Sequence, residues 1–180
     1  MADKRGIKVP ERVGDPPEVD YSQSSPASFG PLARDRIPMR AIRECDLHAV
    51  TAIDRESTGR DRSPYFDAKL TEALHESDVR VSLVAELDGR VVGFIMARVD
   101  LGDFGRTEPT AELDTIGVAP DYRSHGVGRA LLSQLMANLT SLRVERILTE
   151  VDWDNRDLLA FLAHCGFRPS SCLAFDRQIG

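Results

Sequence analysis

The chain has 180 residues, 42% of them hydrophobic and 29% charged, with a formal net charge of −6, which suits one domain plus an extension. The basic and acidic side chains of residues 1–36 balance, so the acidic excess lies in the remainder, which argues against nucleic acid and for a cationic partner such as an amine. No apolar run approaches the ~18–20 residues of a membrane span, the charged N-terminus lacks a signal-peptide core, and three cysteines at no framework spacing fit reduced thiols in a cytoplasm.

Residues 1–36, punctuated by Pro16-Pro17 and Ser24-Ser25-Pro26, read as an extended or disordered arm; residues 37–180 form the domain. Ile37–Ile42 is a first strand, placed at a sheet edge by Pro38. Asp46 can cap a helix in which Leu47, Val50 and Ile53 recur at helical spacing, ending near Gly59. Ser63-Pro64 opens a second helix with Phe66, Leu70, Ala73 and Leu74 inward. Arg80–Leu87 and Arg90–Val99 flank Asp88-Gly89, a strong hairpin signal. Gly102–Pro109 is a polar loop.

Glu112–Leu132 is the informative stretch. Leu113, Thr115 and Gly117 alternate with Asp114, Ile116 and Val118, as in a strand buried on both faces. Ala119-Pro120-Asp121 stops it. Arg123-Ser124-His125-Gly126-Val127-Gly128 then leads into a helix with Val127, Leu131, Leu132, Leu135, Met136 and Leu139 on one face. Glycines at a loop-to-helix junction allow close backbone approach, and the helix start offers unpaired N–H groups at its positive end. Together these suit a diphosphate, although a lone G-x-G is more often a plain turn. Arg146–Asp152 is the next strand, with Ile147, Thr149 and Val151 on one face. Asp154 caps a last helix whose Leu158, Leu159, Phe161 and Leu162 seek the core. Gly166 closes it, and Cys172–Arg177 can form a final strand.

Two blocks in this order, Ile116-Gly117-Val118-Ala119-Pro120 with Arg123, Gly126 and Gly128, and Asn155, Phe161 and Gly166-Phe167, resemble the GCN5-related N-acetyltransferases. The resemblance runs from about Ile37 to the C-terminus. It implies an α/β fold of α+β type, a central mixed, largely antiparallel sheet of about six strands flanked by about four helices. It also implies acetyl-CoA as the acyl donor and an amine-bearing acceptor, with no nucleic acid or membrane partner and with a homodimer left open. By the resemblance, the amides of Ser124, His125, Gly126, Val127, Gly128 and Arg129 hold the diphosphate, with Arg123 in the same loop. Backbone groups around Ile116, Gly117 and Val118 pair with the pantetheine, and Asn155 contacts the cofactor, although it reads also as an early-turn residue of the last helix. The charged segment Glu56–Arg62 borders the acceptor in such proteins; it reads equally well as a solvated loop.

A lysine-like amine has a pKa of about 10.4, so neutralising it near pH 7 costs roughly 4–5 kcal/mol and a general base is useful. Glu112, at the position of the glutamate in histone-acetylating members, is the first candidate for that base and Asp114 the second. Glu112 is also readable as a strand-end glutamate that merely pairs with a basic residue. Leu162 stands where the family carries a proton-donating tyrosine, which keeps a non-catalytic acyl-CoA sensor in play beside the enzyme. Only fourteen residues follow Gly166, where the family has two strands and a covering loop. An open cleft, suited to a peptide or protein amine more than to a small amine, is therefore expected. Cys45 and His48 are half a metal site without a second half, so no metal is expected.

Overall fold

The structure, a computed structural model, describes residues 37–76, 79–100, 109–171 and 177–178. The arm 1–36, most of the Gly102–Pro109 loop and the final strand expected from Cys172 lie outside these residues. The order is β1 (Met39–Ala41), α1 (Leu47–Thr58), α2 (Ser63–Thr71), β2 (Leu83–Leu87), β3 (Arg90–Asp100), β4 (Thr110–Val118), α3 (Val127–Ser141), β5 (Arg146–Leu148) and α4 (Arg156–His164). Glu72–Glu76 carries α2 on through a π-helical turn.

The strands form one sheet in the order β1-β2-β3-β4-β5. Neighbours are antiparallel except β4 and β5, which run parallel. β1 is an edge, as Pro38 requires, and the Pro38 carbonyl accepts the Glu86 N–H at 2.9 Å. Asp88 (φ 51°) and Gly89 (φ 73°) both adopt the left-handed conformation that a two-residue type I′ hairpin demands.

Apolar side chains cover both sheet faces. Val50 and Ile53 of α1 and Phe66 and Leu70 of α2 pack on Val84, Phe94 and Met96. On the other face Val127, Leu131, Leu132 and Leu135 of α3, with Leu162 of α4, pack on Leu83, Ala85, Ile95 and Leu113. Among the described residues no helix is long and apolar enough to cross a membrane.

Two expected caps are reassigned. Asp46 does not cap α1: its carboxylate is turned back to the Arg40 guanidinium, at 2.7 and 2.8 Å, and to the Arg43 N–H at 2.8 Å. An aspartate in front of a helix is drawn to a forked guanidinium more strongly than to one amide. Burial pushes the Asp46 carboxyl up, but Arg40 and Arg43 outweigh it and hold it below the usual range. Its contribution is therefore present above the ordinary aspartate pKa and lost as pH falls through the depressed one. We expect Asp46→Ala to cost about 1–3 kcal/mol, because it removes a buried charge-assisted acceptor from Arg40 and the Arg43 N–H while Arg40 keeps Glu86; urea denaturation of the two proteins measures it. At α4 the cap is Asn155, whose side chain accepts the Leu158 N–H at 3.2 Å. Asp154 sits one residue too early and offers its carbonyl to the Arg156 N–H instead.

The sheet is irregular where β4 meets its neighbours. Met96 pairs with Thr115 but Ala97 pairs with Leu113, so Asp114 is an extra residue, a β-bulge. The bulge breaks the strict alternation expected for the strand: Leu113 and Ile116 both pack on the α3 side. It also shortens β5. The parallel ladder ends at Glu112–Leu148, and beyond it the Thr149 hydroxyl donates to the Leu113 carbonyl at 2.9 Å. The expected strand through Asp152 therefore stops early, and β4 is half-buried rather than buried past Asp114.

Candidate active site

The divergence of β4 from β5 leaves backbone groups facing an opening. The Ala119 N–H bonds the Val92 carbonyl at 2.9 Å. Alternation along an antiparallel ladder then directs Gly117 and Thr115 toward β3 as well, and turns the N–H and C=O of Ile116 and Val118 away from it. No described strand pairs with them there. Gly117 has its own reason to be glycine, since an added Cβ would lie 2.5 Å from the Phe94 ring.

The start of α3 lies at the end of that strand. Gly126 is its N-cap at φ 82°, and its carbonyl accepts the Ala130 N–H at 2.9 Å. The amides of Val127, Gly128 and Arg129 precede the first intrahelical bond and so remain open. No side chain caps this terminus. Nothing lies within 4 Å of a Cβ built on Gly126, whereas one on Gly128 would touch the Phe161 ring at 3.4 Å and Val118 at 3.6 Å. Ser124 also has a positive φ, 63°, which bends the loop. The Arg123 guanidinium reaches across to the Ser57 hydroxyl at 2.7 Å, tying the loop to the end of α1, and the His125 ring contacts the Arg123 carbonyl at 2.8 Å. The oxygen of Asn155 is engaged in capping.

Beside the bulge lies a charge cluster assembled from four elements. Arg98 of β3 donates to Glu112 at 2.6 Å and sits 3.4 Å from Asp114 and 3.5 Å from Glu72. Lys69 of α2 donates to Glu72 at 2.8 Å and lies 3.4 Å from Asp114. Lys69, Glu72, Met96, Arg98 and Asp114 line one small depression. The two carboxylates singled out in the sequence thus come together but differ in setting. Glu112 is 49% exposed and Asp114 12%. Burial pushes the Asp114 carboxyl up, opposed by Lys69 and Arg98. Sequence reasoning missed Lys69, Glu72 and Arg98. Arg98 stands opposite Glu112 in the β3–β4 pairing, a register that the bulge shifts.

Leu162, in the position of the family's tyrosine, is 5% exposed and belongs to the α3-side core. Leu162→Tyr should therefore overfill that core and cost about 1–3 kcal/mol, read as a lower thermal midpoint with no gain in turnover. His164 turns back to the Ala160 carbonyl at 2.8 Å, and burial raises the Cys165 thiol pKa; neither faces the charge cluster. Tyr65 of α2, which the sequence did not single out, does feel it. Its hydroxyl pKa is raised by burial and by Asp114, and its ring lies against Arg62 and Phe66.

Comparisons with known proteins agree on the family. The model for the acetyltransferase (GNAT) family matches residues 47–167. A mycothiol acetyltransferase of Saccharomonospora viridis is 33% identical over 129 residues, 68% of this chain but 42% of that protein; the chain thus spans under half the length of this relative. An aminoglycoside N-acetyltransferase solved with CoA superposes with a TM-score of 0.66 at 19% identity, over 79% of this chain and 94% of that one. A ribosomal-protein-alanine N-acetyltransferase from Brucella melitensis gives 0.59 at 18% identity, over 80% and 99%. At such identities these two structures establish a shared fold. With the family model spanning most of the described domain and the relative matching two thirds of the chain, this chain belongs to the acetyltransferase (GNAT) family.

Proposed function

We propose that the chain is an acetyl-CoA-dependent N-acetyltransferase that acylates a primary amine. One observation carries this reading: the bulge at Asp114, the opening between β4 and β5, and the uncapped start of α3 line up along one strand and the loop that follows it. The opening fits the donor on its own terms. A diphosphate needs several N–H donors and no intruding Cβ, which the left-handed Gly126 and the amides of Val127, Gly128 and Arg129 provide. An extended amide-bearing arm needs a strand edge to pair with, which Ile116 and Val118 provide. When bound, acetyl-CoA supplies an activated thioester whose acyl carbon accepts an amine.

The chain's own residues then have three tasks. The loop 123–129 holds the donor at its diphosphate end, with Arg123 anchored on Ser57. The β4 edge aligns the acyl end. Asp114 takes the proton that the acceptor ammonium must lose, since burial raises its proton affinity. Glu112 holds Arg98, and Arg98 in turn keeps a positive charge beside Asp114. The family's proton donor is replaced by leucine, yet a thiol with a reference pKa near 8.5 leaves readily as thiolate.

For the acceptor, the depression is too small to enclose a substrate, and the cluster around it, Glu112 included, comprises three carboxylates and two cations. This favours an ammonium presented by a larger body, a peptide or protein amine. A small polyamine is the second reading, favoured by neighbours of this fold named as aminoglycoside acetyltransferases. Mass spectrometry of products from a mixed panel of peptides, polyamines and aminoglycosides separates the two. Acetylation confined to small polycations would displace the peptide reading.

A further inference from the structure

The chain contains three lysines against twenty arginines, and two of the lysines, Lys4 and Lys8, lie in the arm. Lys69 is thus the one lysine of residues 37–180, and α2 delivers it to the charge cluster. Its Nζ is 2.8 Å from Glu72 and 3.4 Å from Asp114, on a side chain 18% exposed. Among the described residues, Arg40 on Asp46 and Glu86, Arg62 on Asp54 and Arg98 on Glu112 pair through arginine, and His75 contacts Glu44. A guanidinium stays charged and cannot serve as an amine nucleophile, whereas a lysine that gives up a proton can. The three carboxylates call for a second cation beside Arg98, which an arginine would supply equally well; what lysine adds is a removable proton.

We propose that Lys69 is an internal acetyl acceptor, a self-modification site at the mouth of the transfer site. This rests on the acetyl-CoA reading above. The Lys69 ammonium passes a proton to Asp114, and the freed Nζ lone pair attacks the thioester carbon. A C–N bond forms and the C–S bond breaks, with the electron pair leaving on sulfur. Asp114 returns the proton to the departing thiolate. Since the amine began as an ammonium, the sum is one amide, one free thiol and one proton released. Acetylation deletes a cation that now faces Glu72 and Asp114, so the cluster becomes more acidic and better able to receive a cationic acceptor.

The test incubates the full chain with acetyl-CoA bearing a heavy-isotope acetyl group and follows each lysine by peptide mass spectrometry. Donor binding, by thermal shift, and transfer to an added amine panel are recorded on the same samples. Proximity should label Lys69 faster than Lys4 and Lys8 by about tenfold or more, at a first-order rate independent of chain concentration. Labelling of Lys69 should fall in Asp114→Asn, and Lys69→Arg should remove it while donor binding persists. Equal labelling of all three lysines, a rate rising with chain concentration, or no label on Lys69 while an added amine is acetylated would overturn the self-modification and leave the enzyme reading intact. Absence of both donor binding and transfer would overturn the two together.

Discussion

Gly126→Val should abolish the stabilisation that acetyl-CoA confers on this chain. For the wild type, ligand at about a hundred times its Kd adds about 2.7 kcal/mol, a rise of roughly 5–10 °C in thermal midpoint for a domain of this size. Gly126 sits at φ 82° with open space where a side chain would go, so the substitution acts through the backbone. A β-branched residue resists the left-handed conformation at a cost of about 1–3 kcal/mol and will relax by turning the first amides of α3 away from their common focus. Gly126→Asn is the control, because asparagine tolerates that conformation, and it should keep most of the shift. Differential scanning fluorimetry with and without acetyl-CoA reads both variants. A full shift in Gly126→Val would place the diphosphate elsewhere.

Asp114→Asn should have the largest effect on rate. Loss of a general base lowers turnover by roughly 10²–10⁴-fold, with partial recovery as pH approaches that of a neutral amine. The pH dependence has a defined sign. Burial raises the Asp114 pKa, so wild-type activity falls as pH drops through that raised value and the carboxylate is lost; the asparagine variant should lack this limb. Glu112→Gln should cost at most about fivefold, the scale of a half-exposed ion pair worth about 1 kcal/mol. Steady-state kinetics across pH on the three proteins decides it. If Glu112→Gln proves the more damaging, the proton acceptor is Glu112 and Asp114 is the supporting group.

Local chemistry explains what could be foreseen from sequence. The hairpin at Asp88-Gly89, the edge strand at Pro38, the glycine-capped start of α3 and the closing Gly166 at φ 86° each depend on residues a few positions apart. The two carboxylates of β4 were likewise visible, because they flank a strand that runs into the glycine loop. The bulge was not, yet it left a trace: Leu113 and Ile116, three apart, are the apolar pair that share a face, a spacing no regular strand produces. The rest of the cluster needed the fold. Lys69 and Glu72 come from a helix whose packing on Phe94 and Met96 is set by Phe66 and Leu70, contacts separated by some thirty residues. Asp46 and Asn155 show a further limit, since a guanidinium brought in from β1 claimed the first and a one-residue offset gave the second the capping role.

Acyl transfer at the opening beside β4, rather than donor binding alone, is what the proposed function requires. It is tested most directly by free-thiol release from acetyl-CoA in the presence of the wild-type chain and a broad panel of peptides and amines, with each acylated product weighed. Amine-dependent release is expected, matched mole for mole by an acetylated product and reduced at least a hundredfold in Asp114→Asn. Saturable donor binding, with thiol release no faster than in buffer for every acceptor, would contradict it and leave the chain an acyl-CoA sensor.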